Sequence, residues 1–206
     1  MDQHNQTRQR ILNAAISIFS KKGYHDTRVD EIVTQSQTSK GAVYFHFPSK
    51  QDIFLGLVDE FAQILERRLT AAIAVEQGGV RKVNAALSAC LETFGKYQKL
   101  AKIFLVQAVG LGAVFEEKRQ EIHHRFVQLV KKHLDEAVAD GSIPPIDTEV
   151  AAHAWTGAIN EVVIRWVYTG DPPPERSLPA LRTILLRSIG VLEEEISALN
   201  HTTREG

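Results

Sequence analysis

Apolar residues recur at three- and four-residue steps along nearly the whole chain, and no segment shows the strict alternation of a half-buried strand. That period places the apolar side chains on one face of an α-helix. The longest uninterrupted pattern begins at Ser49 and runs to the glycine pair at 78–79. The sequence therefore predicts an all-α protein of about nine helices.

Glycine, proline and polar clusters divide this pattern into segments. Three short helices are predicted near the N-terminus: the first over about 7–21, the second opened by a capping box of Thr27 and Asp30, the third over about 39–45. Gly23 is placed to cap the first, and Ser49 with Asp52 to open the long helix. The remaining helices are predicted over about 80–97, 99–109, 114–140, 148–169 and 177–199.

Charge is unevenly distributed along the 206 residues. Residues 1–50 contain seven Lys or Arg and four Asp or Glu, a net charge of +3, whereas the remainder has a net charge of −4. A basic segment on an acidic body suits binding of that segment to a polyanion. The three short helices lie in this basic segment.

A tight polar turn at 35–37 separates the second and third short helices, as in a helix-turn-helix. One helix fits the major groove, about 12 Å wide, while the preceding helix braces it across the backbone. The candidate reading helix, from Thr38 to His46, carries small, basic and hydroxylated side chains, and Val43 is spaced to face the core. A glycine inside a helix costs about 1 kcal/mol relative to alanine, so Gly41 indicates a close approach of backbone to DNA.

The segments GYHDTRVDEIV and TSKGAVYFHFPSKQDIF, within residues 7–60, resemble the signature of the TetR family. The resemblance implies an all-α fold: an N-terminal helix-turn-helix domain, taken here as 5–64, joined by a long helix to a helical-bundle effector-binding and dimerisation domain, 65–206. It also implies a repressor that binds a palindromic operator in double-stranded DNA as a homodimer.

The same resemblance implies which side chains meet the DNA. Thr27 would bind a phosphate at the start of the second helix, Lys40 and Tyr44 would contact backbone or bases, and His46 and Lys50 would each add a phosphate contact. The full predicted set of DNA-binding residues is Thr27, Arg28, Thr38, Ser39, Lys40, Gly41, Tyr44, His46 and Lys50. In one place the chain departs from the family pattern: Ser36-Gln37-Thr38 replaces the common Ala-Gly-Val, so Gln37 is expected in a conformation that glycine adopts more easily.

The C-terminal body resembles the family less closely. The helix over 148–169 is apolar around most of its circumference, and the final helix carries an apolar seam that includes Leu185. These two helices and their symmetry mates are expected to form a four-helix dimer interface. Aromatic and apolar residues on separate helices are candidates for an effector pocket or, alternatively, plain core: Phe61, Leu65, Phe94, Tyr97, Phe104, Phe126 and Trp155.

The effector is expected to be small and apolar, with fatty acyl-CoA as one candidate, because the stretch from Asn160 to Trp166 and its flanks are similar to members of the family that sense fatty acyl-CoA. Drug-like and other apolar ligands remain open. No cofactor or metal is expected. The absence of a leader and of an apolar run of about 20 residues predicts a cytoplasmic protein without a membrane partner.

Two other functions compete with a regulator. A helical-bundle metal enzyme would need two Glu-x-x-His pairs, and Glu121 with His124 is the one such pair in the sequence. No Gly-rich phosphate loop or nucleophile elbow appears, so an enzyme is not expected. A DNA-binding protein without an effector would not need so large a C-terminal body. A sequence-specific gel shift would distinguish a regulator from an enzyme, and reversal of that shift by a metabolite would distinguish a ligand-sensing regulator from a DNA-binding protein without an effector.

Overall fold

The computed structural model describes residues 3–202, which form ten α-helices and one π-helical turn, with no strand among them. The predicted all-α class is confirmed. The helices are α1 Gln3–Lys22, α2 Val29–Ser36, α3 Lys40–His46, α4 Lys50–Ala74, α5 Gly79–Lys96, α6 Gln98–Lys102, the π-turn Ile103–Gln107, α7 Ala113–Ala139, α8 Thr148–Thr169, α9 Pro174–Ser188 and α10 Glu193–Thr202.

The chain divides into two compact units, and neither is one continuous stretch. The head unit contains the residues up to Gln63 together with Tyr97–Arg119, and the body unit contains Ile64–Lys96 and the residues from Gln120 onward. The predicted functional division into 5–64 and 65–206 did not include the second stretch of the head unit. That division stays a prediction about function, and its last four residues lie outside the described part of the chain.

The head unit is built around the apolar face of α1. Ile11, Leu12, Ala15 and Phe19 are fully buried there, as their spacing predicts. Ile32 of α2, Val43 of α3 and the first turns of α4 complete this core. The start of α4 also follows the prediction, because Ser49 Oγ accepts from the Asp52 amide at 3.2 Å and donates to the Asp52 carboxylate at 2.6 Å.

In the body unit α5 packs against α9, and α8 packs against both. The prediction of one final helix over 177–199 is wrong. Helix α9 ends at Ser188, Gly190 lies in the left-handed region (φ 85°), and a separate helix, α10, begins at Glu193. The amides of Gly190 and Val191 bond to the carbonyls of Arg187 and Leu186, which ends α9. The apolar period continues through this break, so periodicity alone did not reveal it.

Candidate nucleic-acid interface

The turn between α2 and α3 has the unusual backbone that its sequence predicts. Gln37 has φ 53° and ψ 42°, the left-handed conformation that glycine adopts without a Cβ penalty. Arg10 of α1 offsets this cost, because its guanidinium donates to the carbonyls of both Ser36 and Gln37. These carbonyls lie at the end of α2, where helices leave acceptors without partners. Arg10 therefore stabilises the turn that joins α2 to α3.

The N-terminus of α2 is capped differently from the prediction. Its N-cap is Arg28, and the Glu31 carboxylate accepts from the Arg28 amide at 3.0 Å. Lys22 forms an ion pair with Glu31. The hydrogen bond that Lys22 donates to Glu31 lowers the pKa of the Glu31 carboxyl. Thr27 instead donates to the Gly23 carbonyl at 2.7 Å and is 2% exposed. The predicted capping box of Thr27 and Asp30 is therefore wrong.

These positions bear on two of the predicted DNA-binding residues. The Arg28 side chain is exposed beside the start of α2, where it is accessible to DNA. The contact predicted for Thr27 would require its hydroxyl to leave Gly23 and become exposed. Both roles stay predictions, and the geometry favours Arg28.

The short helix α3 presents most of the predicted reading face to solvent. Ser39 is its N-cap and accepts from the Ala42 amide at 3.1 Å, while Thr38 bonds to the Ser36 hydroxyl at 2.7 Å. Gly41 is exposed, and a Cβ built there would meet only the Ser39 hydroxyl, at 3.9 Å. Tyr44 is exposed as well. Ser39 and Thr38 thus also hold the start of α3.

Lys40, the basic residue on the exposed face of α3, has an acidic partner in the DNA-free chain. Lys40 pairs with Asp30 of α2 at 2.9 Å, and the hydrogen bond that Lys40 donates to the Asp30 carboxylate raises the pKa of Lys40. Both side chains are largely exposed, so the pair contributes little to stability and Lys40 can exchange it for a phosphate. Burial, with nearby His4 and Arg8, lowers the pKa of His46, which is therefore mainly neutral at pH 7. A phosphate bond from His46 would then involve a neutral donor or proton uptake.

Lys50 holds the loop between α1 and α2. Its ammonium group donates to the carbonyls of Tyr24 at 2.7 Å, His25 at 3.2 Å and Thr27 at 3.0 Å, and lies 4.5 Å from the centroid of the Tyr24 ring. A lysine has three N–H donors, so these carbonyls use all of them. The predicted phosphate contact of Lys50 stays untested, and in the DNA-free chain this lysine positions the loop.

Phe45 is a residue of α3 that the sequence analysis did not select. Its ring is 74% exposed, whereas Phe47, two residues later, is buried. The edge of the His4 ring packs against it with the centroids 5.7 Å apart. Its position opposite the inward-facing Val43 was a signal in the sequence, because residues two apart on a helix lie on nearly opposite sides.

Comparison with known proteins agrees with this geometry. Residues 11–57, which span most of α1 to the first turns of α4, match the family model described as bacterial regulatory proteins, tetR family. The chain therefore contains a TetR-family N-terminal domain and is a DNA-binding transcriptional regulator.

Relatives along the rest of the chain support this assignment. The HTH-type transcriptional regulator SrpR of Pseudomonas putida is 25% identical over 81% of this chain and 78% of its own length. The fatty acid metabolism regulator protein of Bacillus subtilis is also 25% identical, over 81% of this chain and 87% of its own. These relatives are regulators, and the chain is not an enzyme.

The fold of the chain beyond its N-terminal domain also has a solved counterpart. The structure of the regulator FadR from Bacillus subtilis in complex with stearoyl-CoA superposes with a TM-score of 0.77 at 21% identity, covering 90% of this chain and 99% of that one. This likeness concerns the fold. Within the part of the chain that is described, no helix is long and apolar enough to cross a membrane, and no three His, Cys, Asp or Glu side chains group as metal ligands.

The residues predicted to line an effector pocket fall in both units. In the head unit, Phe61 and Phe104 are buried with ring centroids 5.7 Å apart, and Tyr97 is half-buried. In the body unit, the side chains of Leu65, Phe94 and Trp155 are buried, and that of Phe126 is half-buried. Trp155 donates from its indole to the Ser188 hydroxyl at 3.2 Å. Their shared role in a pocket stays a prediction.

The body unit contains a cavity of about 420 Å³ at the end of α4, between α5 and α10. None of the seven predicted residues lines it. Its walls combine alanines with charged and polar side chains: Ala72, Val75, Glu76, Arg81, Asn84, Ala85, Ser88, Ala89, Glu92, Glu195, Ala198 and Leu199.

Replacing Gly41 with alanine in this TetR-family head should separate stability from DNA binding. An added methyl group meets open space within the chain, and alanine favours a helix by about 1 kcal/mol, so the unfolding midpoint should rise slightly. Operator affinity should fall at least about tenfold if the backbone approaches the DNA closely. Thermal unfolding and fluorescence anisotropy with labelled operator measure the two effects. An unchanged affinity would remove Gly41 from the contact surface.

Proposed function

We propose that this regulator acts in the cytoplasm as a homodimeric repressor, which binds a palindromic operator and is released by a small apolar effector. The observation that supports operator binding best is the exposed face of α3, with Lys40, Gly41 and Tyr44, held by the Arg10-braced turn. A helix of this kind enters the major groove, and its neighbour α2 braces it. The basic charge of residues 1–50 supports binding to a polyanion.

One side of α8 supports the dimer. Residues at three- and four-residue steps along that side are exposed in the single chain: Val150, Ala154, Gly157, Glu161, Arg165 and Tyr168. On α9 the large apolar side chain of Ile184 is 62% exposed, whereas Leu185, expected in the seam, is 4% exposed and packs within its own chain. The small residues in the middle of the α8 row would let a second copy approach closely, and Ile184 would add apolar area.

An acyl-CoA effector is supported by relatives. One of the 25% identical proteins is named a fatty acid metabolism regulator, and a structure of similar fold is bound to stearoyl-CoA. The name SrpR, equally similar, carries no such indication. Long-chain acyl-CoA is therefore the first effector to test. A DNA-binding protein without an effector remains the alternative, and it predicts that no such ligand changes operator affinity.

Selection of bound sequences from random DNA duplexes tests the proposed function. Two symmetric half-sites are expected, with centres one helical turn, about 10 base pairs, or a multiple of it apart. Recovery of a single unrepeated site would contradict a symmetric dimer on DNA. No enrichment at all would contradict sequence-specific binding.

Lys40 and Lys50 should respond differently to mutation on that operator. Each phosphate neutralised contributes about 0.9 to the slope of log affinity against log salt. Lys40→Ala should flatten this slope, and Asp30→Asn, which frees Lys40, should raise affinity at low salt. Lys50→Ala should instead lower the free energy of unfolding by about 2 kcal/mol, because three hydrogen bonds from a charged group are lost.

Affinity titrations at several salt concentrations and thermal unfolding measure these effects. A Lys50→Ala protein with unchanged stability and a flattened slope would restore the phosphate role that the sequence predicts. An unchanged slope in Lys40→Ala would exclude Lys40 from the phosphate contacts.

A further inference from the structure

Phe45 lies on the outer side of the reading helix. Val43, two residues earlier, is fully buried, and residues two apart on a helix differ by about 200° in direction. Phe45 therefore projects away from the core of the head unit. It shares its side of α3 with Gly41, one turn earlier, where there is open space beside the backbone. The glycine permits close approach, and the aromatic ring lies next to the surface that approaches.

The ring is held in place although it is exposed. The His4 ring, from the first turns of α1, lies 5.7 Å from it in an edge-to-face arrangement, and His46 lies 5.5 Å away on the same side, since the two histidine rings are 4.3 Å apart. A phenylalanine left 74% exposed forgoes most of the stabilisation that burial of its side chain provides. The exposed part of the ring is therefore available to an apolar partner outside the chain.

The chemistry of the major groove limits what that partner is. A phenyl ring neither donates nor accepts a conventional hydrogen bond, so it cannot read the amino, carbonyl or ring-nitrogen groups of the base edges. The 5-methyl group of thymine is the apolar feature that the groove presents. We propose that Phe45 is a specificity-determining residue, which reads the methyl group of one thymine in each half-site. This inference rests on the proposed operator binding.

Substitution of deoxyuridine for thymine tests it, because the exchange removes the methyl group and leaves base pairing unchanged. On the selected operator, thymines are replaced one symmetric pair at a time. Burial of one methylene-sized group corresponds to a factor of about 4, so one pair of positions should weaken the wild-type protein about 15-fold. The Phe45→Ala protein should bind the thymine operator less tightly than wild type and should not discriminate the two operators at that pair.

Val109→Ala is the matched control, since it removes another exposed apolar side chain of the same unit, away from α3, and keeps Phe45. It should retain the full preference for thymine. Circular dichroism of Phe45→Ala checks the fold, which should be intact because the side chain is exposed.

Two results would overturn the inference. Either wild-type protein tolerates deoxyuridine at every position, or Phe45→Ala keeps the wild-type preference; in both cases the ring contacts the sugar-phosphate backbone or nothing at all. Failure of the wild-type protein to bind any selected duplex is a different result, because it refutes the proposed function itself.

Discussion

Replacing Ile184 with aspartate is expected to yield a folded monomer that binds its operator at least about 100-fold more weakly. Ile184 is exposed on α9 in the single chain, so the aspartate is solvated in the monomer. In the proposed dimer it would be buried without a partner, which costs several kcal/mol. A monomer binds one half-site at a time, and loss of the second head removes an avidity gain of about 10²–10⁴.

Sedimentation velocity measures the oligomeric state, and fluorescence anisotropy measures operator affinity. Val75→Asp is the matched control, because it places the same charge on an exposed valine at the end of α4 and should leave both properties unchanged. Leu185→Asp provides the contrast: this leucine is buried in its own chain, so its replacement should unfold the body unit. An Ile184→Asp protein that remains dimeric would move the interface away from α9.

Stearoyl-CoA is expected to bind the regulator 5- to 150-fold more weakly when the operator is bound. Couplings of this size, 1–3 kcal/mol, are typical of allosteric proteins, and they are reciprocal, so the ligand must weaken operator binding by the same factor. Two helices connect the units along the chain: α4 contributes residues to the head unit up to Gln63 and to the body unit beyond it, and α7 changes unit after Arg119. At 1.5 Å per residue the 25 residues of α4 span about 36 Å.

Calorimetric titration into free and operator-saturated protein measures the coupling. Coenzyme A without an acyl chain is the control ligand and should bind weakly in both states. The variant Lys102→Ala tests the role of the head unit, because Lys102 donates to the Ser20 carbonyl near the end of α1 at 3.1 Å. This variant should show a weaker coupling between ligand and operator, and the affinity of the DNA-free protein for the ligand should be unchanged. Equal affinity of every bound ligand in the two states would refute release by an effector.

Local features of the head were predictable from sequence because neighbouring residues determine them. The buried face of α1 follows from the helical period. The left-handed conformation of Gln37 follows from its position in the turn, where the family pattern commonly has glycine. The partners of Arg10 and Lys50 were not predictable in this way. They are backbone carbonyls 23 to 27 positions away in the chain, and no side-chain pattern marks them.

The body was less predictable for a physical reason. An apolar period shows that a helix has a buried side, but adjacent residues such as Ile184 and Leu185 lie only 100° apart, and packing against other helices decides which of them is covered. The same ambiguity affects the candidate pocket, since aromatic residues at helical spacing are more often plain core than the lining of a ligand site. In the head, the Glu31 carboxylate that caps α2 also pairs with Lys22, a contact that does not follow from spacing.

The split composition of the head unit limits how such regulators can be recombined. Phe115 packs against Phe54 and Tyr24 with ring centroids 5.5 and 5.2 Å apart, and Lys118 pairs with Asp59 at 3.3 Å. In a hybrid made by joining residues 1–64 to the body of another regulator, residues of that other protein would replace Phe115 and Lys118 in these contacts. A transplant that also carries residues 97–119 keeps the contacts together. Transfer of DNA specificity between regulators of this architecture therefore requires two exchanged segments, and a fragment ending at residue 64 would expose Phe54 and Phe61 to water.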